Sequence, residues 1–505
     1  MDDNKTALAD RLWLGIGRAY KNNKTPFLAA LFTGLLAHGF AFTNKLLNHD
    51  EIESLFGKGA TVTSGRWGLE AVKVLFPDWS MPWIYGIISI TLLAVSVCLI
   101  VQILGIGSKP LQALLGALML AFPSVTGTFC FMFTSSAYAF AFLSAVGSVY
   151  VYRFSRKFRL PLSVLLLVAA LGIYQAYISV AACLYMLLMI EDTLDKDSSL
   201  VQVVLFGLKA LALMAVSIAI YYGITQLVFL VTGAEFNSYV TDNVNGSVSL
   251  LRCVRIAYDS FLYVFEFRNF ALITTEASRY IHIVLGALIL LGLGAIAWQN
   301  RKPLNAALLF VLIVLLPLAI ECMYLIMSKE SIHTLVIYSF TAVYMLAFIV
   351  IERLPGRAGR ACRNAVSLLL AVVALANVYY ANMVYLKLDL QYENASAFYT
   401  SLCAQIKDTE GFDENSKLAV LGYQDNLLYI PEELDTELMM GPAHDLVNIY
   451  SRENFFRLFL GFEVPFADDA ELEKLENDSR VEAMSEYPYY GSVQKIDDYI
   501  VVKLG

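Results

Sequence analysis

The sequence predicts an all-α polytopic membrane protein of about ten or eleven membrane segments, ending in a small α/β domain outside the membrane. Three observations carry that prediction. The 505 residues are 58% hydrophobic and only 16% charged, with a mean hydropathy of +0.61, whereas an ordinary soluble domain carries roughly 25% charged residues. Uncharged apolar runs of membrane length recur along the chain. The charge is also divided: residues 387–505 hold 24 acidic and 9 basic side chains (net −15), and residues 1–386 hold 20 acidic and 27 basic (net +7). A weakly basic apolar body of 1–386 is therefore expected to precede a separate soluble unit, 387–505.

The N-terminal stretch begins with acids and shows no cleavage site after a short apolar segment. A removable signal peptide is not expected, and residues 27–42 read as a retained first span. A membrane helix needs about 20 mostly apolar residues. Runs that satisfy this cover 26–44, 81–104, 111–152, 160–190, 210–232, 280–298, 303–320, 333–351 and 364–386. The run 111–152 is long enough for two passes, turning near "PSVTGTFCFMFTSS". The run 160–190 is long for one pass and short for two. Positive-inside counting decides between them. The clusters "RFSRKFR" (153–159), "NRK" (300–302) and "ERLPGRAGRACR" (352–363), with the basic N-terminal region, fall on one side only if 160–190 is two short helices turning around "GIYQAY" (172–177). That side is expected to be cytoplasmic, together with the N-terminus. Loops 43–80 and 233–279, a turn at 328–332 and the tail are then extracytoplasmic. Irregular backbone at membrane depth is tolerated only where protein or a wet cavity covers it, so Tyr174 and Gln175 are expected to face an internal cavity.

In the tail, "KLAVLGY" (417–423) and "DDYIVVKL" (497–504) read as strands among helix-like polar stretches. Seven cysteines stand singly and read as core residues. No internal repeat is evident, and no nucleic-acid partner is indicated.

The chemistry-bearing residues concentrate in the external loops. Loop 43–80 holds His49, Asp50, Glu51, Glu53, Arg66, Glu70, Lys73 and Asp78 among Trp67, Phe76 and Trp79. Such aromatics settle at the membrane interface. A carboxylate part-shielded there can act as a general base. Equally, Asp50 and Glu51 can simply occupy the first turn of an interfacial helix. Loop 233–279 offers Arg252, Arg255, Arg268 and Arg279, and arginine is the side chain best matched to phosphate. The bland reading pairs each with a nearby acid or lipid headgroup. Glu321 ends an apolar run at or near membrane depth, where an acid is a functional candidate, with Lys329 or His333 as its partner. His38 reads as a packing residue. No HExxH, Walker loop, CxxC pair or His cluster occurs, so neither a tightly held metal nor a nucleotide site is indicated, and no cofactor is expected.

Taken together, "NHDE…GRWG" in the first loop, "GIYQAY", the arrangement of spans and the ending "YPYYGSVQKIDDYIVVKL" resemble the bacterial glucosyltransferases typified by the type II O-antigen-modifying Gtr enzymes. The resemblance implies a GT-C-like membrane transferase of the bacterial cytoplasmic (inner) membrane. Such an enzyme takes a sugar from a polyprenyl-phosphate carrier and passes it, outside the cytoplasm, to a surface polysaccharide or lipid-linked glycan. It further implies an acidic base just after the first span, a position held by Asp50 with Glu51 beside it. Donor phosphate is then expected at Arg66, Arg252, Arg255 or Arg268, and His49, Tyr174, Gln175, Glu321 and His333 are candidates for the cavity or acceptor site. The expected partners are membrane lipids, the lipid-linked donor and the glycan acceptor, with a small flippase and a polyprenyl-phosphate glycosyltransferase in the same pathway. Two rival readings stay open: a flippase or transporter of lipid-linked sugar, and a polysaccharide polymerase.

Overall fold

Helix follows apolarity along most of the chain, because a backbone in lipid must satisfy its own hydrogen bonds. The computed structural model describes all residues except 1–7, 58, 60, 78, 244–248, 266–274, 301, 326–332, 414, 424–438, 440 and 442–444. They form two compact units, Met1–Asn44 with Ala60–Asn382, and Lys45–Gly59 with Met383–Gly505. Loop 43–80 is thus shared between the units.

In chain order the first helices are α1 (Leu8–Thr43), α2 (His49–Glu53), α3 (Trp67–Ala71), α4 (Pro82–Ile103), α5 (Lys109–Ala121), α6 (Pro123–Cys130) and α7 (Met132–Phe154). Then come α8 (Arg159–Ile173), α9 (Ile178–Leu194), α10 (Leu200–Thr232), α11 (Ser238–Asn243), α12 (Leu250–Phe265), α13 (Thr275–Asn300), α14 (Pro303–Ile320), α15 (Thr341–Arg353) and α16 (Gly356–Asp408). Among the described residues nine helical stretches are long and apolar enough to cross a membrane, and α8 is a shorter apolar helix. The chain is an all-α polytopic protein with a small sheet-containing C-terminal part.

The interruptions in the first unit have local causes. α1 bends at Asn23, whose φ of −113° and ψ of 17° are not helical, close to Pro26, which cannot donate a helical hydrogen bond. Between α5 and α6, Phe122 is extended (φ −61°, ψ 138°), the conformation favoured before a proline such as Pro123. The run 160–190 is two helices: α8 stops at Ile173, Tyr174 is extended (φ −152°, ψ 106°), and a single 3₁₀ turn, Gln175–Tyr177, leads into α9. The run 333–351, expected as one span, is a 3₁₀ turn at Ile337–Phe340 followed by the 13-residue α15. At that turn the Tyr338 hydroxyl donates to the Met119 carbonyl (2.9 Å) and the Ser339 hydroxyl to the Ile320 carbonyl (2.8 Å). These bonds tie the turn to α5 and α14. α4 packs between α1 and α7, and α7 packs on α8. Leu211, Leu230, Leu291 and Phe310 remain exposed on α10, α13 and α14, apolar faces suited to lipid contact.

The second unit contains α2, the part of α16 from Met383 onward, β1 (Lys417–Leu421), α17 (Arg452–Phe459), α18 (Asp469–Glu476), α19 (Ser479–Glu482), β2 (Val493–Ile496) and β3 (Tyr499–Lys503). β3 is central, parallel to β1 and antiparallel to β2. Both sheet faces are covered, so β1 and β3 read as near-continuous apolar runs. On one face Leu418, Val420 and Val502 pack with Tyr399, Leu402, Phe455 and Phe456, and on the other Ala419 and Val501 pack with Leu475, Val481 and Met484. Leu47 and Ile52 belong to the first of these cores, which is why Lys45–Gly59 groups with the tail. Arg452 is buried and donates to the carbonyls of Val420 (2.8 Å) and Gly422 (3.1 Å), satisfying the end of β1. None of the seven cysteines forms a disulfide, and five of them are buried.

One pH response follows from this unit. Glu471 closes the capping box of α18 and accepts from Lys417 Nζ (2.5 Å) and the Tyr499 hydroxyl (2.8 Å). The Lys417 bond, then the Asp468 amide and Tyr499, pull its carboxyl from 4.5 down to about 2. A depressed folded-state value means stability fully present above the unfolded value and lost as pH falls through the folded one. We expect the melting temperature of the full chain to fall between pH 4.5 and about 2. In Glu471→Gln that slope should flatten in a thermal melt, and an unchanged slope would remove the linkage.

Candidate active site

α2 starts because Asn48, at its N-cap, accepts the Glu51 amide on Oδ1 (2.8 Å). Consecutive helical residues point roughly 100° apart, so Asp50 and Glu51 cannot share a face. Ile52 and Leu47 are drawn into the core of the second unit, and this turns Glu51 inward. Its side chain is 0% exposed and ion-paired with Lys45. Asp50 points out, 53% exposed, with His49 Nε2 at 3.5 Å. Glu53 accepts from Asn454 Nδ2 of α17 (2.7 Å), and Asn454 accepts from Arg457 (2.8 Å), so α2 is fastened to α17 within this unit.

In the first unit, Arg66 lies just before α3 and joins residues of two other segments. Its Nη1 donates to the Tyr138 hydroxyl of α7 (3.1 Å), and its guanidinium lies 5.3 Å from the centre of the Tyr174 ring. Tyr138 and Tyr174 stack at 4.3 Å. Tyr174 is thus occupied by a ring and a cation, and it orients Arg66. Gln175 donates to the Ser64 carbonyl (3.0 Å) and to the Tyr221 hydroxyl (2.9 Å), which in turn donates to the Gly65 carbonyl (3.0 Å). The broken helix is therefore a clamp on the loop that presents Arg66. Gly65 sits at φ +71°, and a Cβ there would meet the Tyr221 hydroxyl at 2.7 Å. Gly68 touches Gly172 of α8 so closely that a Cβ would lie 2.6 Å from its carbonyl carbon. Backbone cannot yield as a side-chain end can, so Gly68→Ala should destabilise the folded chain by about 1–3 kcal/mol. A thermal melt of the detergent-solubilised protein checks this, and an unshifted midpoint would contradict the close approach.

The other predicted residues are placed as follows. His333 lies within electrostatic reach of Arg66, and its Nδ1 is buried with no hydrogen-bond partner among the described residues. Glu321, just past α14, is 3% exposed; its Oε1 likewise lacks a partner among them. The adjacent Cys322 contacts Ser179 of α9 at 3.3 Å. Arg252 and Arg255 are on the exposed side of α12, whose Ile256 and Ala257 pack against Leu318. Arg255 is 82% exposed and paired with Asp259 (3.3 Å). Arg268 lies outside the described residues, as do Asp78 and Lys329. The structure thus gathers Arg66, Tyr174, Gln175 and His333, and leaves Arg252 and Arg255 on a separate helix. Lys45, Tyr138, Tyr221 and Asn454 were not singled out from the sequence. Tyr138 and Tyr221 sit in apolar runs that give no positional signal, and Lys45 is a single charge flanking the first span.

The family model for glucosyl transferase GtrII matches residues 39–351, more than half of the chain. The chain belongs to the GtrII family. No curated protein and no solved structure matches it. As a GtrII member with nine membrane-length helices among its described residues, it is a multi-pass glucosyltransferase-family protein. The GtrII match runs from the end of α1 into α15. It takes in Asp50, Glu51, Arg66, the Tyr174–Gln175 break, Glu321 and His333, and most of the second unit lies beyond it.

Proposed function

We propose that the chain transfers a sugar, glucose by family, from a polyprenyl-phosphate carrier to a surface polysaccharide such as O-antigen, at the extracytoplasmic face of the bacterial inner membrane. Asp50 is the base. The observation that carries the choice is the contrast within α2: the Asp50 carboxylate is exposed, whereas Glu51 is buried in its pair with Lys45. A base must reach the proton it removes, and a carboxylate held by an ammonium beneath a core does not.

In the reaction, Asp50 accepts the proton of an acceptor hydroxyl while that oxygen bonds to the anomeric carbon. The bond from that carbon to the phosphate oxygen breaks, and polyprenyl phosphate leaves with the electron pair and with inversion at carbon. Arg66, held over Tyr174 and against Tyr138, stabilises the charge growing on the phosphate. Asp50 belongs to the second unit and Arg66 to the first. The donor's chemistry requires a separate transferase that loads the sugar onto polyprenyl phosphate and a carrier, such as a small flippase, that turns it outward. The basic clusters 153–159, 300–302 and 352–363 support a cytoplasmic N-terminus and an outer C-terminal unit.

The test is turnover of purified polyprenyl-phosphate glucose by membranes carrying Asp50→Asn or Glu51→Gln, read as release of polyprenyl phosphate. Loss in Asp50→Asn alone supports the reading, and full activity in that variant refutes it.

A further inference from the structure

The second unit carries a cleft of about 370 Å³ that the reaction above does not use. Its charged lining is Glu453 and Arg457 of α17 with Glu463, all exposed, and its apolar lining includes Phe462, Val464 and Phe466. The volume lies in the roughly 300–1,000 Å³ range of small-ligand sites. Two carboxylates against one guanidinium leave the cleft net negative. That charge opposes a phosphate or an acidic sugar, and suits a ligand that presents hydroxyl donors to carboxylates and C–H faces to an apolar surface. A neutral sugar ring has both.

The cleft is also mechanically tied to α2. Arg457, one of its lining residues, donates to Asn454, and Asn454 donates to Glu53 at the end of α2 (2.8 and 2.7 Å). Asp50 is on that same five-residue helix. A ligand held by Arg457 is therefore in fixed register with α2, all within one compact unit.

We infer that this cleft is the subsite for a neutral segment of the acceptor glycan, with Arg457 registering it against α2. The inference rests on the proposed function for the identity of the acceptor. It assigns a specificity role to a part of the chain that the family match does not cover.

The experiment uses full-length protein in detergent, with no donor present. The probe is the delipidated surface polysaccharide of the source bacterium, titrated calorimetrically against the unmodified chain, Glu463→Ala and Arg457→Ala. Glu463→Ala and Arg457→Ala should each weaken binding by about tenfold or more, the loss of one charge-assisted hydrogen bond. With no donor present the titration reads acceptor binding and not turnover, so a failure of the base assignment and a failure of the cleft are read separately. Unaltered affinity in a folded Glu463→Ala overturns the inference. If Arg457→Ala disturbs folding through α2, Glu463→Ala, which makes no bond to α2, decides alone. Carboxymethylated polysaccharide should bind more weakly than the neutral form, and tighter binding of the acidic form would equally overturn it.

Discussion

Asp50→Asn is expected to lower turnover by about 10²–10⁴-fold, the usual worth of a general base, with the melting temperature unchanged. The substitution is nearly isosteric, and the side chain is half exposed, with His49 Nε2 at 3.5 Å, so little folding energy rests on it. Glu51→Gln should do the converse. It leaves Lys45 without its carboxylate beside a buried amide, which costs about 1–3 kcal/mol, and the fraction that stays folded should turn over normally. The pair of variants therefore separates kinetics from stability on two adjacent residues. Inactive but fully folded Glu51→Gln, with active Asp50→Asn, would reverse the assignment.

Arg66→Gln is expected to cost about 10²–10³-fold in turnover, the scale seen when one preorganised charge-stabilising donor is removed. Arg66→Lys should recover only part of this, because an ammonium keeps the charge but offers no planar fork of donors. Folding should persist in both, since Tyr138 and Tyr174 still stack and Gln175 and Tyr221 still hold the loop at Ser64 and Gly65. Single-turnover release of polyprenyl phosphate with acceptor in excess measures the effect. Activity of folded Arg66→Gln within about threefold of the unmodified chain, well short of one such donor's worth, would remove Arg66 from the phosphate site.

Much of the architecture was legible because bilayer thickness and charge placement act on sequence directly. The break in 160–190 followed from length and from the side on which the basic clusters fall, and α8 and α9 meet at Tyr174. The strands at 417–423 and 497–504 followed from apolar runs in a polar tail, and they pair as β1 and β3. β2 was not legible: "VQKI" is short and half polar, and it becomes a strand only by pairing with β3 across Asp497, at φ +55°. In the tail "YPYY", Tyr487 is a core residue while Tyr490 is 99% exposed, a division that adjacency in sequence does not reveal.

By itself, the sequence determined that this is a multi-pass chain with an acidic folded tail, and it put an Asp-Glu pair and an arginine in the first loop. Only the tertiary structure distinguished Asp50 from Glu51 and Arg66 from Arg252 and Arg255. Helical neighbours differ in direction by a fixed angle, but which direction is inward depends on what packs against the helix. For α2 that is the core around Leu47 and Ile52, built largely from residues more than 300 positions later in the chain. For Arg66 it is two tyrosine rings and a glutamine clamp drawn from α7, α10 and the α8–α9 break, and long-range contacts of that kind leave no local pattern to read.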